Sequence, residues 1–429
     1  METRGARGAV WVAALLVGSA GAPAAADDAG RGAIDAADAG RRVAALADDA
    51  LEGREAGSRG GRAAGAYVVE ELRTLGLEPA GDGGTYFQPF DGMRNILALL
   101  PGRDPARAGE VVVVGAHYDH VGYGTAATSY GPLGVIHNGA DDNASGVAGI
   151  LEIAEALVGI APRPRRPVLL ALWDGEEKGL LGSRHFLAHA PESLRGKRAV
   201  FSVNLDMIGR LRGDRVEVFG GRSATGLRRL LVDANRPVGL ELDFDWDIVD
   251  DSDHHPFLAA SVPTLMLHTG LHDEYHRPAD DAHLVNAEGI AAVSRLALET
   301  ILAVADHDGT LPGFRDACRG ESNRLREEVE QPVPVDPAAP RPRWGMSTRG
   351  DPGDPAAPVV VRVVPDTPLA AAGLIPGDRI LGIDGVAVAD HASMLRRMAS
   401  ARGRVTLQVE RRGRTLDLVA TALPENGGE

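Results

Sequence analysis

Apolar residues along this chain fall into short runs that alternate with stretches of helical spacing. Val111-Val112-Val113-Val114, Val168 to Trp173, Ala199 to Leu205, Val216 to Phe219 and Val262 to Leu267 read as buried strands. Ile96 to Leu100 makes an earlier strand, ended by Pro101-Gly102. Between them, Arg62 to Leu75, a run from Asn143 through about Leu157, Gly179 to His189 and Val285 to Ala305 read as helices, and Gly76 stands where a C-terminal cap belongs. Strands alternating with helices predict an α/β domain with a mixed central sheet flanked by helices.

The polar residues that interrupt this pattern fall where the strands stop. His117, Glu176-Glu177 and Asp206 lie at or just past the ends of predicted strands, and His276 lies in the loop after the last one. Asp141 and Asp142 precede a helix amino terminus, whose dipole favours negative charge. An acidic helix cap accounts for one aspartate well and for two poorly. Adjacent buried carboxylates are costly unless a cation or hydrogen-bond donors hold them. Open α/β sheets place their ligands at the carboxyl ends of strands, so the coincidence points to a metal site. Imidazole nitrogens and carboxylate oxygens suit zinc, one carboxylate can bridge two ions, and the lack of cysteine donors favours a hydrolytic over a structural site.

Composition narrows the setting. At 429 residues the chain is long enough for two domains plus ancillary segments. Its formal net charge of −15 argues against nucleic acid or an anionic membrane as main partner. Residues 1–26 have the form of a signal peptide: basic Arg4 and Arg7, an apolar stretch from Val10 to Ala20, and Ala24-Ala25-Ala26 before Asp27. The stretch is too short to span a membrane comfortably, so the expectation is export to the periplasm or medium without stable membrane insertion. The single cysteine, Cys318, cannot form an intrachain disulfide and reads as a buried or incidental thiol.

Five segments carry a resemblance, in order: Ala116-His117-Tyr118-Asp119, Gly139 to Gly146, Glu176 to Ser183, Asn204 to Gly209 and Tyr275-His276. Together they resemble the co-catalytic dizinc aminopeptidases, relatives of glutamate carboxypeptidases and glutaminyl cyclases, over about Leu51 to Leu302. The resemblance implies a zinc exopeptidase fold and two zinc ions. His117 and Asp206 would hold one ion, Glu177 and His276 the other, and Asp141 would bridge them, with Asp142 fixing the backbone beside it. It further implies Glu176 as the base that activates a metal-bridging water, Asp119 as the group orienting His117, and Tyr275 as a donor to the developing oxyanion. The implied function is removal of amino-terminal residues from peptides. The alternatives are a carboxypeptidase or other amide hydrolase on the same scaffold, or a degenerate peptidase fold acting as a peptide-binding protein. A glutaminyl cyclase is disfavoured, since a one-metal acyl transferase does not require the full ligand set. His120 and His137 read as loop residues without a ligand role. Ser252 to Phe257 reads equally as a helix cap or as part of the substrate pocket.

Beyond Leu311 the composition changes. Residues 321–343, charged and then rich in proline, read as a stiff linker between an exopeptidase domain at 27–320 and a second, small, mainly-β domain at 344–424. Thr367 to Leu381 resembles the core motif of PDZ domains in exported bacterial proteases. By that resemblance Trp344-Gly345-Met346-Ser347 would receive a peptide carboxylate, and an extended peptide would add as a strand. The linker would leave this domain a semi-rigid neighbour rather than part of one core.

Overall fold

The computed structural model describes residues 30–336 and 343–422. The signal peptide expected over 1–26 therefore lies outside the described residues. Helix α1 (Ala36–Leu46) starts where Asp35 accepts hydrogen bonds from the Ala37 and Asp38 amides, and α2 (Arg59–Thr74) where Ser58 accepts from Gly61. Short strands β1 (Glu78–Pro79) and β2 (Phe87–Phe90) lead into β3 (Met93–Leu100) and β4 (Glu110–His117). Then follow α3 (Gly146–Gly159), β5 (Val168–Trp173), α4 (Leu181–Ala188), β6 (Arg198–Leu205), β7 (Arg215–Phe219) and α5 (Leu227–Ala234). The first module closes with β8 (Glu241–Phe244), α6 (His254–Ala259), β9 (Thr264–His268) and α7 (Ala287–Ala305).

These strands form one mixed sheet in the order β1-β3-β5-β4-β6-β9-β7-β8, with β2 paired to β3. Its centre, β5-β4-β6-β9, is parallel, and β3 and β7 flank it antiparallel. The valine run of β4 serves both faces. Val112 and Val114 pack in the cluster that contains Ile150, Leu151 and Leu296 of α3 and α7. Val111 and Val113 pack with Trp173, Phe186 and Phe257 on the opposite face. Gly115 lets the strand lie against Trp173, since a Cβ there would sit 2.6 Å from the indole Nε1.

The remaining elements are α8 (Asn323–Glu330), β10 (Met346–Arg349), β11 (Val359–Val363), α9 (Pro368–Ala371), β12 (Arg379–Ile383), β13 (Val386–Ala387), α10 (His391–Ser400), β14 (Arg404–Arg411) and β15 (Arg414–Thr421). They form a second sheet, β10-β11-β12-β14-β15, with β13 beside β12, around a core that includes Trp344, Val360, Ile380 and Met394.

The relation between the modules differs from the tethered neighbour expected from the sequence. The charged segment is helix α8, docked by Arg326 on Asp243 at 2.9 Å and by Asn323 on Asp245 at 2.8 Å. Arg222 of the first module reaches Asp351 of the second at 2.9 Å, and Arg228 pairs with buried Glu410 at 2.8 Å. Ala357 and Leu381 join the main apolar core, and Trp246 packs with Val329, Val359 and Val361. Charge alone reads as linker, whereas here Glu321, Arg326 and Glu330 each pair outside the helix, with Arg222, Asp243 and Arg379. No helix among the described residues is long and apolar enough to cross a membrane.

Candidate metal centre

The parallel strands β4, β5, β6 and β9 all end at one edge of the sheet, and the chain beyond each carries a polar residue to the same place. His117 closes β4, Glu176 and Glu177 follow β5, Asp206 follows β6, and His276 lies in the loop after β9. His117 Nε2 lies 3.4 Å from Asp206 Oδ1 and 3.3 Å from Asp142 Oδ1. His276 Nε2 lies 3.1 Å from Asp142 Oδ2 and 3.2 Å from Glu177 Oε2. The Asp142 carboxylate thus spans two clusters, one oxygen to each histidine.

This corrects the placement expected of Asp141. Its carboxylate turns away from both histidines: Oδ1 accepts from the Gly209 amide at 2.6 Å and Ser145 Oγ at 3.0 Å, and Oδ2 lies 3.3 Å from His272 Nε2. The cause is the turn itself. Buried Asp280 accepts the backbone N–H of Asp141 at 2.9 Å and of Asp142 at 3.1 Å through one oxygen. With Asp142 in a non-helical conformation (φ −102°, ψ 95°), the adjacent side chains leave in different directions.

Asp119 is also differently placed. His117 Nδ1 faces the Asp119 carbonyl oxygen at 3.2 Å, with the carboxylate Oδ1 at 3.8 Å. That carboxylate oxygen accepts the Glu176 amide at 3.1 Å, so Asp119 positions both the imidazole and the turn carrying Glu176. Tyr275 lies over the His276 ring, centroids 4.0 Å apart. Ser252 and Asp253 make no helix-capping bond; Ser252 Oγ donates to Asp206 Oδ2 and Asp253 Oδ1 accepts from Ser183, each at 2.5 Å. His137 is a loop residue as expected, between Ser129 Oγ and the Val135 carbonyl. His120 is not: its Nδ1 lies 2.9 Å from Glu177 Oε1.

Arg54 and Asp280 act here although nothing in the sequence pointed to them. Arg54, fully buried, donates to the carbonyls of Leu46, Tyr118, Asn138 and Gly139. Burial lowers its pKa to about 10, opposed by Asp142, Asp280, Asp119 and Glu177. Its only sequence signal is a place in a Gly-rich loop, where arginine is usually solvated.

Burial raises the Glu176 carboxyl well above the usual range, with His117 opposing. Burial also works against charge on His276, but the Asp142 and Glu177 carboxylates outweigh it and lift that imidazole to about 10. The geometry fits cations. Bonds of about 2.0–2.2 Å at tetrahedral angles place neighbouring donors roughly 3.3–3.6 Å apart, and the four histidine–carboxylate separations, 3.1–3.4 Å, lie near the short end of that range. The donor set, two imidazoles with Asp142, Asp206 and Glu177, contains only nitrogen and oxygen, as zinc hydrolases use.

Residues 95–301 match the model of peptidase family M28, and residues 333–421 that of the PDZ domain. Leucine aminopeptidase 1 of Trichophyton rubrum is 32% identical over 150 residues, covering 34% of this chain and 37% of that protein. Leupeptin-inactivating enzyme 1 of Streptomyces exfoliatus is 27% identical over 176 residues, covering 41% and 36%. The chain thus spans little more than a third of the length of these curated relatives. The LapA aminopeptidase of Legionella pneumophila superposes with a TM-score of 0.56 at 19% identity, over 66% of this chain and 75% of that one. BSAP, a zinc aminopeptidase from Bacillus subtilis, gives 0.52 at 16%, over 65% and 97%. At such identities the two structures bear on the fold alone.

Proposed function

From the membership of residues 95–301 in peptidase family M28, we propose that this protein is a zinc-dependent aminopeptidase that hydrolyses the first bond of peptides with a free amino terminus. The observation that carries the reading is the Asp142 carboxylate, set with one oxygen 3.3 Å from His117 and the other 3.1 Å from His276. In this reading His117, Asp206 and Asp142 would hold one zinc ion, and Glu177, His276 and Asp142 the other. Such ions would supply polarisation of the scissile carbonyl and a water that is a better nucleophile near neutral pH. Glu176 takes a proton from the attacking water and returns it to the amine as the C–N bond breaks. Asp119 keeps Glu176 in register through the backbone bond at 3.1 Å. Burial raises the Tyr275 phenol, and the surrounding carboxylates raise it further, which keeps it a hydrogen-bond donor for the carbonyl oxygen as it gains charge.

The residue pattern at 1–26 supports export to the periplasm or medium. The PDZ module supplies an edge strand, β10, paired to β11 alone among the described strands. An extended peptide segment or carboxyl terminus is its proposed partner.

Product analysis on one peptide, free and N-acetylated, tests the reading. Release of the first residue from the free peptide, no cleavage of the acetylated one, and loss of activity on chelation are expected. Release from the carboxyl end, or equal cleavage of both peptides, would overturn it.

A further inference from the structure

We infer that His120 is a positioning residue for the Glu177 side of the metal centre, holding one oxygen of that carboxylate so that the other faces His276. The inference rests on the two-ion reading above. Glu177 Oε1 lies 2.9 Å from His120 Nδ1, and Oε2 lies 3.2 Å from His276 Nε2. The two imidazoles therefore take different oxygens of one carboxylate. The 2.9 Å separation is that of an N–H···O hydrogen bond and is shorter than the roughly 3.3–3.6 Å between two donors on one tetrahedral ion. The His120 Nδ1 to Asp142 Oδ2 distance is 3.7 Å, beyond hydrogen-bond reach, so Glu177 is the carboxylate that the ring holds. The short contact sets His120 behind Glu177 rather than on an ion.

The surroundings fix the ring in that role. The His120 backbone amide donates to the Arg54 carbonyl at 3.3 Å, and the residue bridges in parallel to Glu55. The ring lies against Gly139, where a Cβ would come within 2.4 Å of His120 Cδ2; Gly139 also has φ +55°, so only glycine fits there. On its other side the ring meets His276 edge-on, centroids 5.6 Å apart. Nε2 is buried without a hydrogen-bond partner, so the ring's single polar bond is the one to Glu177. A carboxylate free to rotate would lose entropy on binding an ion; one already held by a donor would not.

Zinc titration calorimetry on the full chain tests this without recourse to activity. The wild type should take up two equivalents. His120→Leu removes the donor and should weaken one equivalent by about 10- to 100-fold while leaving the other unchanged. His120→Asn, whose amide nitrogen can stand near the Nδ1 position, should keep that equivalent within about threefold of the wild type. If the leucine variant does not fold, by the melting temperature of the metal-free chain, the asparagine variant decides. A tenfold loss in His120→Asn would make His120 a ligand, and wild-type affinity in His120→Leu would leave it no role; either overturns the inference. A wild type that binds fewer than two equivalents would instead sink the two-ion reading, and the inference with it.

Discussion

Glu176 and Glu177 are neighbours with opposite surroundings, and the difference sets what each can do. Glu177 stands between two imidazoles at 2.9 and 3.2 Å, whereas Glu176 lies in the cluster with His117 and Asp206 and has its backbone pinned by Asp119. Glu176→Gln keeps the shape and the pinned turn but cannot accept a proton. Turnover should fall by roughly two to four orders of magnitude while bound zinc stays near the wild-type level. A single assay pairing steady-state rate with elemental zinc decides it, and zinc lost in proportion to rate would place Glu176 among the ligands instead. Asp141 and Asp142 show where residue-level reading runs out. Both are aspartates before one helix, and nothing local separates them; what turns Asp142 inward is Asp280, some 138 residues further along the chain.

Among elements, Arg54 holds the site's loops together. Its guanidinium takes the carbonyl at the end of α1 (Leu46), the one after β4 (Tyr118), and two just ahead of the aspartate pair (Asn138, Gly139). Arg54→Met would leave these carbonyls without donors and remove the charge that offsets the surrounding carboxylates, costing roughly 3 kcal/mol or more. Lysine should not rescue it, because one ammonium cannot reproduce the planar fork. Denaturant midpoints of the Met and Lys variants should both fall well below the wild type, and a lysine variant of wild-type stability would show that charge alone matters. Strand ends were legible in the sequence because apolar runs stop there and the parallel sheet aligns their exits. Arg54 was not, since its partners are backbone carbonyls, which leave no side-chain pattern to read. Helix α8 was misread for a related reason: Arg326 and Glu330 look solvated until Asp243 and Arg379 are beside them.

At the scale of the molecule, the ion-pair network joins what the linker was expected to keep apart. Asp351 receives Arg222 at 2.9 Å and Arg379 at 3.0 Å, and Arg379 also reaches Glu330 at 2.9 Å. Burial alone would raise the Asp351 carboxyl, but the two arginines hold it well below the usual range. A carboxyl with a depressed folded pKa stabilises fully above its unfolded value, about pH 4, and loses that contribution as pH falls through the folded value. The acid limb of the stability curve should therefore flatten in Asp351→Asn. At neutral pH, Asp351→Ala should cost on the order of 3–5 kcal/mol by leaving buried arginines short of a partner, and the wild type should unfold in one calorimetric transition. Two resolved transitions would restore the picture of independent modules. The most direct test of the whole account is zinc per chain, measured by elemental analysis after saturation and desalting, for the wild type and Asp142→Ala. The shared carboxylate predicts about two ions in the wild type and a loss at both positions in the variant; one ion in the wild type, or two retained by Asp142→Ala, would contradict it.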